Sequence, residues 1–251
     1  MSNDADTSRS PILSDGSPER APLMRDRYHH QLEELERHVE QLGNEVMQAI
    51  SASIEALEVV DVSRAKELIE NDARIDLTRH DIDDQAFHLL ATQQPTARDL
   101  RFVTAVSSVI GELERIGDYC AGIAKLTLTI AGERQSEPNP AIRHMADITI
   151  ELLQRALVAF RDRDVQTAAI VWLRDDEVDD LYHEFFEQQI EEMINHRKRV
   201  RRGTYMLWVA HNIERMADRV TNIAEEVSFV ATGDVAAWRN QVEAEHLPPG
   251  V

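Results

Sequence analysis

The run Glu114-Arg-Ile-Gly-Asp118 with Ile123-Ala124 returns as Glu214-Arg-Met-Ala-Asp218 with Ile223-Ala224, at a constant offset of 100 residues. A repeat of that length far exceeds the roughly 20–50 residues of a solenoid unit, so each copy should close a bundle with its own core. The 251 residues of the chain suit two modest domains better than one of ordinary size.

Apolar periodicity sets the elements inside each copy. Leu32, Leu35, Val39, Leu42, Val46, Ile50 and Leu57 recur at spacings of three and four and predict a helix over residues 28–60. Ala65, Leu68, Ile75, Ile82, Ala86 and Leu89 predict a second over 62–93, which Pro95 breaks. Leu100, Val103, Ile110, Ala121, Ala124 and Leu128 predict a third over 96–131, with Gly132 as its C-cap. Beyond the loop carrying Pro138 and Pro140 the pattern restarts, with helices over 141–161, 164–195 and 197–232, the last closed by Gly233. The fold class expected is therefore all-α: two tandem antiparallel three-helix bundles, residues 28–132 and 141–233. Residues 1–27 form a disordered tail in this reading, and residues 234–251 a C-terminal tail.

Each copy carries acidic residues where its stripe calls for apolar ones. On the second helix the stripe Ala65, Leu68, Ile75, Ile82 also takes in Asp72 and Arg79; on the third, Glu114 stands between Ile110 and Gly117. In the second copy Asp175 falls between Val171 and Val178, and Glu214 between Ala210 and Ala217. Each has another aspartate four residues away, giving Asp72/Asp76, Glu114/Asp118, Asp175/Asp179 and Glu214/Asp218, and residues so spaced share a helix face.

Antiparallel packing makes the placement testable. Asp72 lies as far before Pro95 as Asp118 lies after it, and Asp76 and Glu114 are likewise equidistant from it. Asp175 with Asp218, and Asp179 with Glu214, are centred on the junction of His196 and Arg197. Four carboxylates should thus meet at one level in each copy. Buried and unpaired, they would be prohibitively costly or would take up protons. Oxygen donors so arranged suit a hard or borderline cation, and the small neighbours Gly117, Ala121, Ala217 and Ala224 leave room for one. The metal expected is iron, manganese, magnesium or zinc. The bland alternative is a set of solvated carboxylates bridged to Arg74, Arg115 and Arg215. His211, one turn before Glu214, has Gly111 at its counterpart and reads as a surface or packing residue.

Charge and composition narrow the function. Forty-six acidic against 27 basic residues give a net charge of −19, which repels nucleic acid and anionic membrane surfaces, so contact with a membrane is expected only through partners. Cys120 is the only cysteine, which excludes an intrachain disulfide and a thiolate cluster. No apolar run reaches a spanning length, and the start resembles no signal peptide, so a cytoplasmic location is expected.

Gln94-Pro95-Thr-Ala-Arg98-Asp99-Leu100-Arg101, followed by Leu113-Glu114-Arg115-Ile116-Gly117-Asp118, resembles the first-repeat signature of the PhoU family of phosphate-uptake regulators. Asn212-Ile-Glu214-Arg215-Met-Ala-Asp218-Arg-Val-Thr-Asn222-Ile-Ala-Glu225 is similar to its second. The resemblance implies tandem three-helix bundles with metal at the E/DxxxD motifs Glu114/Asp118 and Glu214/Asp218, faced by Asp72/Asp76 and Asp175/Asp179. It also implies a brake that restrains the phosphate ABC transporter through its ATPase and holds a sensor histidine kinase in its repressing state when phosphate is plentiful. A homodimer is the expected oligomer, and no catalysis is expected. Two rival readings stand beside this one: a di-metal carboxylate enzyme, which typically needs Glu-x-x-His motifs that neither copy supplies as a matched pair, and a structural helical adaptor whose sites stay empty.

Overall fold

The chain is described from a computed structural model covering residues 20–93, 95–132 and 139–246. Residues 1–19 and 247–251 of the two expected tails, Gln94 of the first signature and Pro138 lie outside the described residues. Eight α-helices are present among the described residues: α1 Arg20–Val59, α2 Val62–Gln93, α3 Ala97–Ile130, α4 Pro140–Asp162, α5 Val165–Leu173, α6 Asp175–Asn195, α7 Val200–Thr232 and α8 Val235–His246. A 3-10 turn, Arg197–Arg199, joins α6 to α7. Helices α1 to α3 form one antiparallel bundle, and α4 to α7 the second.

The periodic residues behave as their spacing dictates. All six stripe residues of α2 are buried, as are Leu35, Val39, Leu42, Val46, Ile50 and Leu57 of α1. Leu100 departs from the expectation and is 45% exposed, because the buried face of α3 begins only at Phe102 and Val103. The first turn of α3 is held instead by Asp99, whose Oδ2 accepts hydrogen bonds from Tyr28 Oη at 3.0 Å and Thr96 Oγ1 at 3.3 Å.

Helix ends explain further departures. Gly132 has no left-handed backbone, and α3 ends at Ala131 in an ordinary helical conformation. Gly233 does close α7 as expected, at φ 82°, donating its N–H to Phe229 O. The fifth predicted helix breaks at Arg174 into α5 and α6. Asp175, Asp176 and Glu177 then occupy the first turn of α6, where carboxylates favour a helix start, while Arg174 bonds Glu177 and Glu151. The segment after Gly233, read as a tail, is mostly helix α8, whose Trp238 and Val242 are buried, Trp238 lying edge-on to Trp172.

Asp164 caps α5. Its Oδ1 accepts from Gln166 N and Thr167 N and its Oδ2 from Thr167 Oγ1, and these bonds hold its carboxyl below the usual range. Asp164→Ala should cost about 1 kcal/mol by chemical denaturation. Because the folded-state pKa is depressed, this contribution is fully present above the ordinary aspartate range and disappears as pH falls through the folded value. The difference between the two proteins should therefore shrink in acid, to what a neutral cap oxygen still supplies.

The two bundles do not keep separate cores. One cluster of buried side chains runs from Leu35 of α1 to Val242 of α8 through both copies. It is continuous because α3 and α7 pack antiparallel along their length. Arg101 lies beside Gly233, Ser108 beside Glu226, Asn222 donates to Glu112, Arg215 lies beside Tyr119, and Gly122 faces Asn212. All five pairs are centred on the same point in the sequence. The 100-residue offset exchanges Glu112/Asn222 with Asn212/Gly122, so a local two-fold relates the copies. At one end of this seam Phe102 stacks on Phe160 of α4 at 5.4 Å. Arg163, left-handed at the end of α4, lies 4.7 Å over the Phe102 ring and bonds Glu36 of α1 at 2.7 Å. Arg143 makes a two-point pair with Glu58, again joining α4 to α1.

Candidate metal centre

The seam carboxylates lie where the facing helices of each copy meet. In the second copy, Asp179 of α6 and Glu214 and Asp218 of α7 each bring an oxygen within 4.8 Å of the others, and all three are half-buried. This is the only group of three or more metal-ligating side chains so close among the described residues. Asp175, the fourth expected member, stands outside it. The break at Arg174 makes it the first residue of α6, one turn from Asp179.

Charge balance at this group is poor. Asp175 Oδ1 and Asp179 Oδ1 are buried with no hydrogen-bond partner, and the Thr221 hydroxyl beside Asp175 donates to Ala217 O instead. Burial above all, with the charges of Asp179 and Asp218, pushes the Asp175 carboxyl up to about 6. Asp179 and Glu214 are raised as well, first by burial and then by Asp218. The cations at hand are loosely placed. Arg215 and Arg219 each stand 3.8 Å from Asp218 Oδ2, and Arg219 also reaches Glu112 of α3 at 3.4 Å.

The first copy is more open. Asp72 points at α3, its Oδ1 buried without a partner and 3.8 Å from where a Cβ on Gly117 would stand. Burial raises its pKa, reinforced by Asp118, Asp76 and Glu114 and partly offset by Lys125. Its four carboxylates therefore feel one another, but Asp118 is exposed, and Glu114 lies 3.5 Å from Arg79. Of the arginines in the bland alternative, only Arg215 has an ion pair with one of the eight carboxylates; Arg79 and Arg219 are the counter-charges missed from sequence. Arg79 was visible as a cation on the buried stripe of α2. His211, which reads from the sequence as a surface or packing residue, has its Nδ1 3.1 Å from Glu214 Oε2.

Orphaned oxygens and a purely carboxylate donor set with one imidazole at its edge fit a hard or borderline cation. A bound ion would replace the mutual repulsion with attraction and would fix α6 against α7.

The family described as "PhoU domain" matches residues 39–127 and again residues 142–227. Among curated relatives, the phosphate-specific transport system accessory protein PhoU homolog of Caulobacter vibrioides is 32% identical, covering 82% of this chain and 90% of that one. The crystal structure of PhoU from Pseudomonas aeruginosa superposes with a TM-score of 0.78 at 28% identity, covering 82% of this chain and all of that chain. That of the phosphate transport system regulatory protein PhoU from Streptococcus pneumoniae does so with the same TM-score at 29% identity, covering 83% of this chain and 99% of that one.

Proposed function

The chain belongs to the PhoU family, and on that premise we propose that it is an accessory regulator of phosphate-specific transport. In this reading it restrains uptake and represses phosphate-starvation genes when phosphate is plentiful, as an adaptor between the transporter's ATPase and a sensor histidine kinase. The observation that carries the reading is the match of both copies to the family, in order and over most of the folded chain. No helix is long and apolar enough to cross a membrane among the described residues, so contact with the transporter falls to surfaces of this helical body.

Within that role Asp179, Glu214 and Asp218, with Asp175 a turn away, would hold a cation that sets the spacing of α6 and α7. Asp72, Asp76, Glu114 and Asp118 would do the same for α2 and α3. Metal occupancy then tunes the shape presented to partners, since an ion bound only by the docked shape favours that shape.

Deleting the gene should switch on a phosphate-starvation reporter in phosphate-rich medium, and supplying the chain should silence it. A deletion strain that keeps the reporter silent would overturn the reading. So would a pull-down from phosphate-replete cells that recovers neither the ATPase nor the kinase. A di-metal enzyme is less well supported, because His211 has only Gly111 as its counterpart.

A further inference from the structure

The charge of the whole chain hides a local reversal. Of the six residues 197–202, all but Val200 are basic: Arg197, Lys198, Arg199, Arg201 and Arg202. They sit at the end of the α6–α7 hairpin, where residues 194–201 are exposed without interruption, so this end protrudes. Arg199 is neutralised by Glu192, whereas Arg197 and Lys198 form no ion pair among the described residues.

Apolar and aromatic side chains are interleaved with these cations. Ile194 is 75% exposed, and Val200 is exposed beside it. Arg201, Tyr205 and Trp208 follow at spacings of four and three along one face of α7. The Arg201 guanidinium lies 5.7 Å from the Tyr205 ring centre, and the Tyr205 and Trp208 rings are 6.1 Å apart. Trp208 is 57% exposed.

We propose that this hairpin end is a docking surface for the anionic headgroups of a lipid bilayer. Cations, a Tyr and a Trp, and isolated exposed aliphatic residues on a protruding end are the composition that seats at the headgroup level of a membrane. An acidic protein segment would call for the cations but not for solvent-facing Ile194, Val200 and Trp208. The acidic remainder of the chain does not prevent contact, because salt screens charges beyond about 8 Å. The other copy supplies an internal control. At the 100-residue offset Ala97, Asp99, Ala105 and Ser108 stand for Arg197, Arg199, Tyr205 and Trp208, while Arg98 and Arg101 keep the charge of Lys198 and Arg201, so the first copy retains two cations but lacks the aromatic pair. The proposal goes beyond the regulatory role above and does not depend on it.

The test is sedimentation of the full chain with vesicles of phosphatidylcholine alone or mixed with phosphatidylglycerol, at low and high salt. Binding is expected to the anionic vesicles only, and to weaken with salt. Arg197→Gln, Lys198→Gln and Arg201→Gln combined should lower the partition coefficient about a hundredfold. Trp208→Ala should lower it too, and Arg98→Gln at the opposite hairpin should leave it unchanged. Lys198→Glu, a single change at an exposed position, replaces the triple variant if that one melts early. Equal binding to neutral vesicles, no binding at low salt, or undiminished binding by the hairpin variants overturns the proposal. So does displacement from the vesicles by polyglutamate at equal charge, which would assign the surface to an acidic protein segment.

Discussion

Protein carrying Glu214→Ala together with Asp218→Ala is expected to melt above the unaltered protein in chelator and below it in divalent metal. The two signs come from one arrangement. Without an ion, Asp179, Glu214 and Asp218 hold three carboxylate oxygens within 4.8 Å, and Asp179 and Glu214 are raised by burial and then by Asp218, so removing two of the three relieves repulsion. With an ion, the same oxygens attract it and bind the folded state alone. At a metal concentration a hundredfold above the dissociation constant that linkage contributes about 2.7 kcal/mol, or about 5–10 °C in a chain of this size. Thermal melts of both proteins in chelator and in manganese, with metal content measured alongside, check the crossing. Solvated surface carboxylates would give no crossing, and the two proteins would keep the same order in both buffers.

Phe102→Ala should cost about 3–5 kcal/mol, the range for a buried aromatic cut to a methyl. Phe102 is buried on α3 in the first copy, but two of its partners belong to the second: Phe160 stacks on it, and Arg163 lies over its face. The loss should therefore fall on both copies together. Urea unfolding is expected as one transition for the wild type and for the variant, at a lower midpoint for the variant. Two separated transitions in the wild type, with only the first moved by the substitution, would mean that the bundles are energetically independent.

That coupling marks the border of what could be read from residues alone. Periodicity found the apolar faces of α1 and α2 because a buried stripe repeats at helical spacing whatever it packs against. It could not tell that the faces of α3 and α7 meet each other, because pairs such as Glu112 with Asn222 are polar and carry no periodic signal. The acidic pairs were legible as interruptions of an apolar stripe, and their distance from the hairpin turns placed Asp179 opposite Glu214 correctly. The break at Arg174 has no Pro or Gly to announce it; an acidic first turn and the Arg174 bonds make it, and Asp175 beyond it still feels the charge of Asp218. Helix α8 was missed because a short stripe of Trp238 and Val242 is too brief to register as a period, although it covers Trp172. His211 was discounted by symmetry, and symmetry between the copies is what the first one lacks, with Asp118 exposed and Glu114 drawn to Arg79.

The central claim is that the seam between α6 and α7 is built for a cation. Anomalous diffraction at a metal edge, from crystals grown with manganese or iron, tests it most directly. The expected result is a peak at coordinating distance, about 2.0–2.2 Å, from oxygens of Asp179, Glu214 and Asp218. Ordered carboxylates with no peak among them, and Arg215 and Arg219 drawn in to neutralise Asp218, would contradict it.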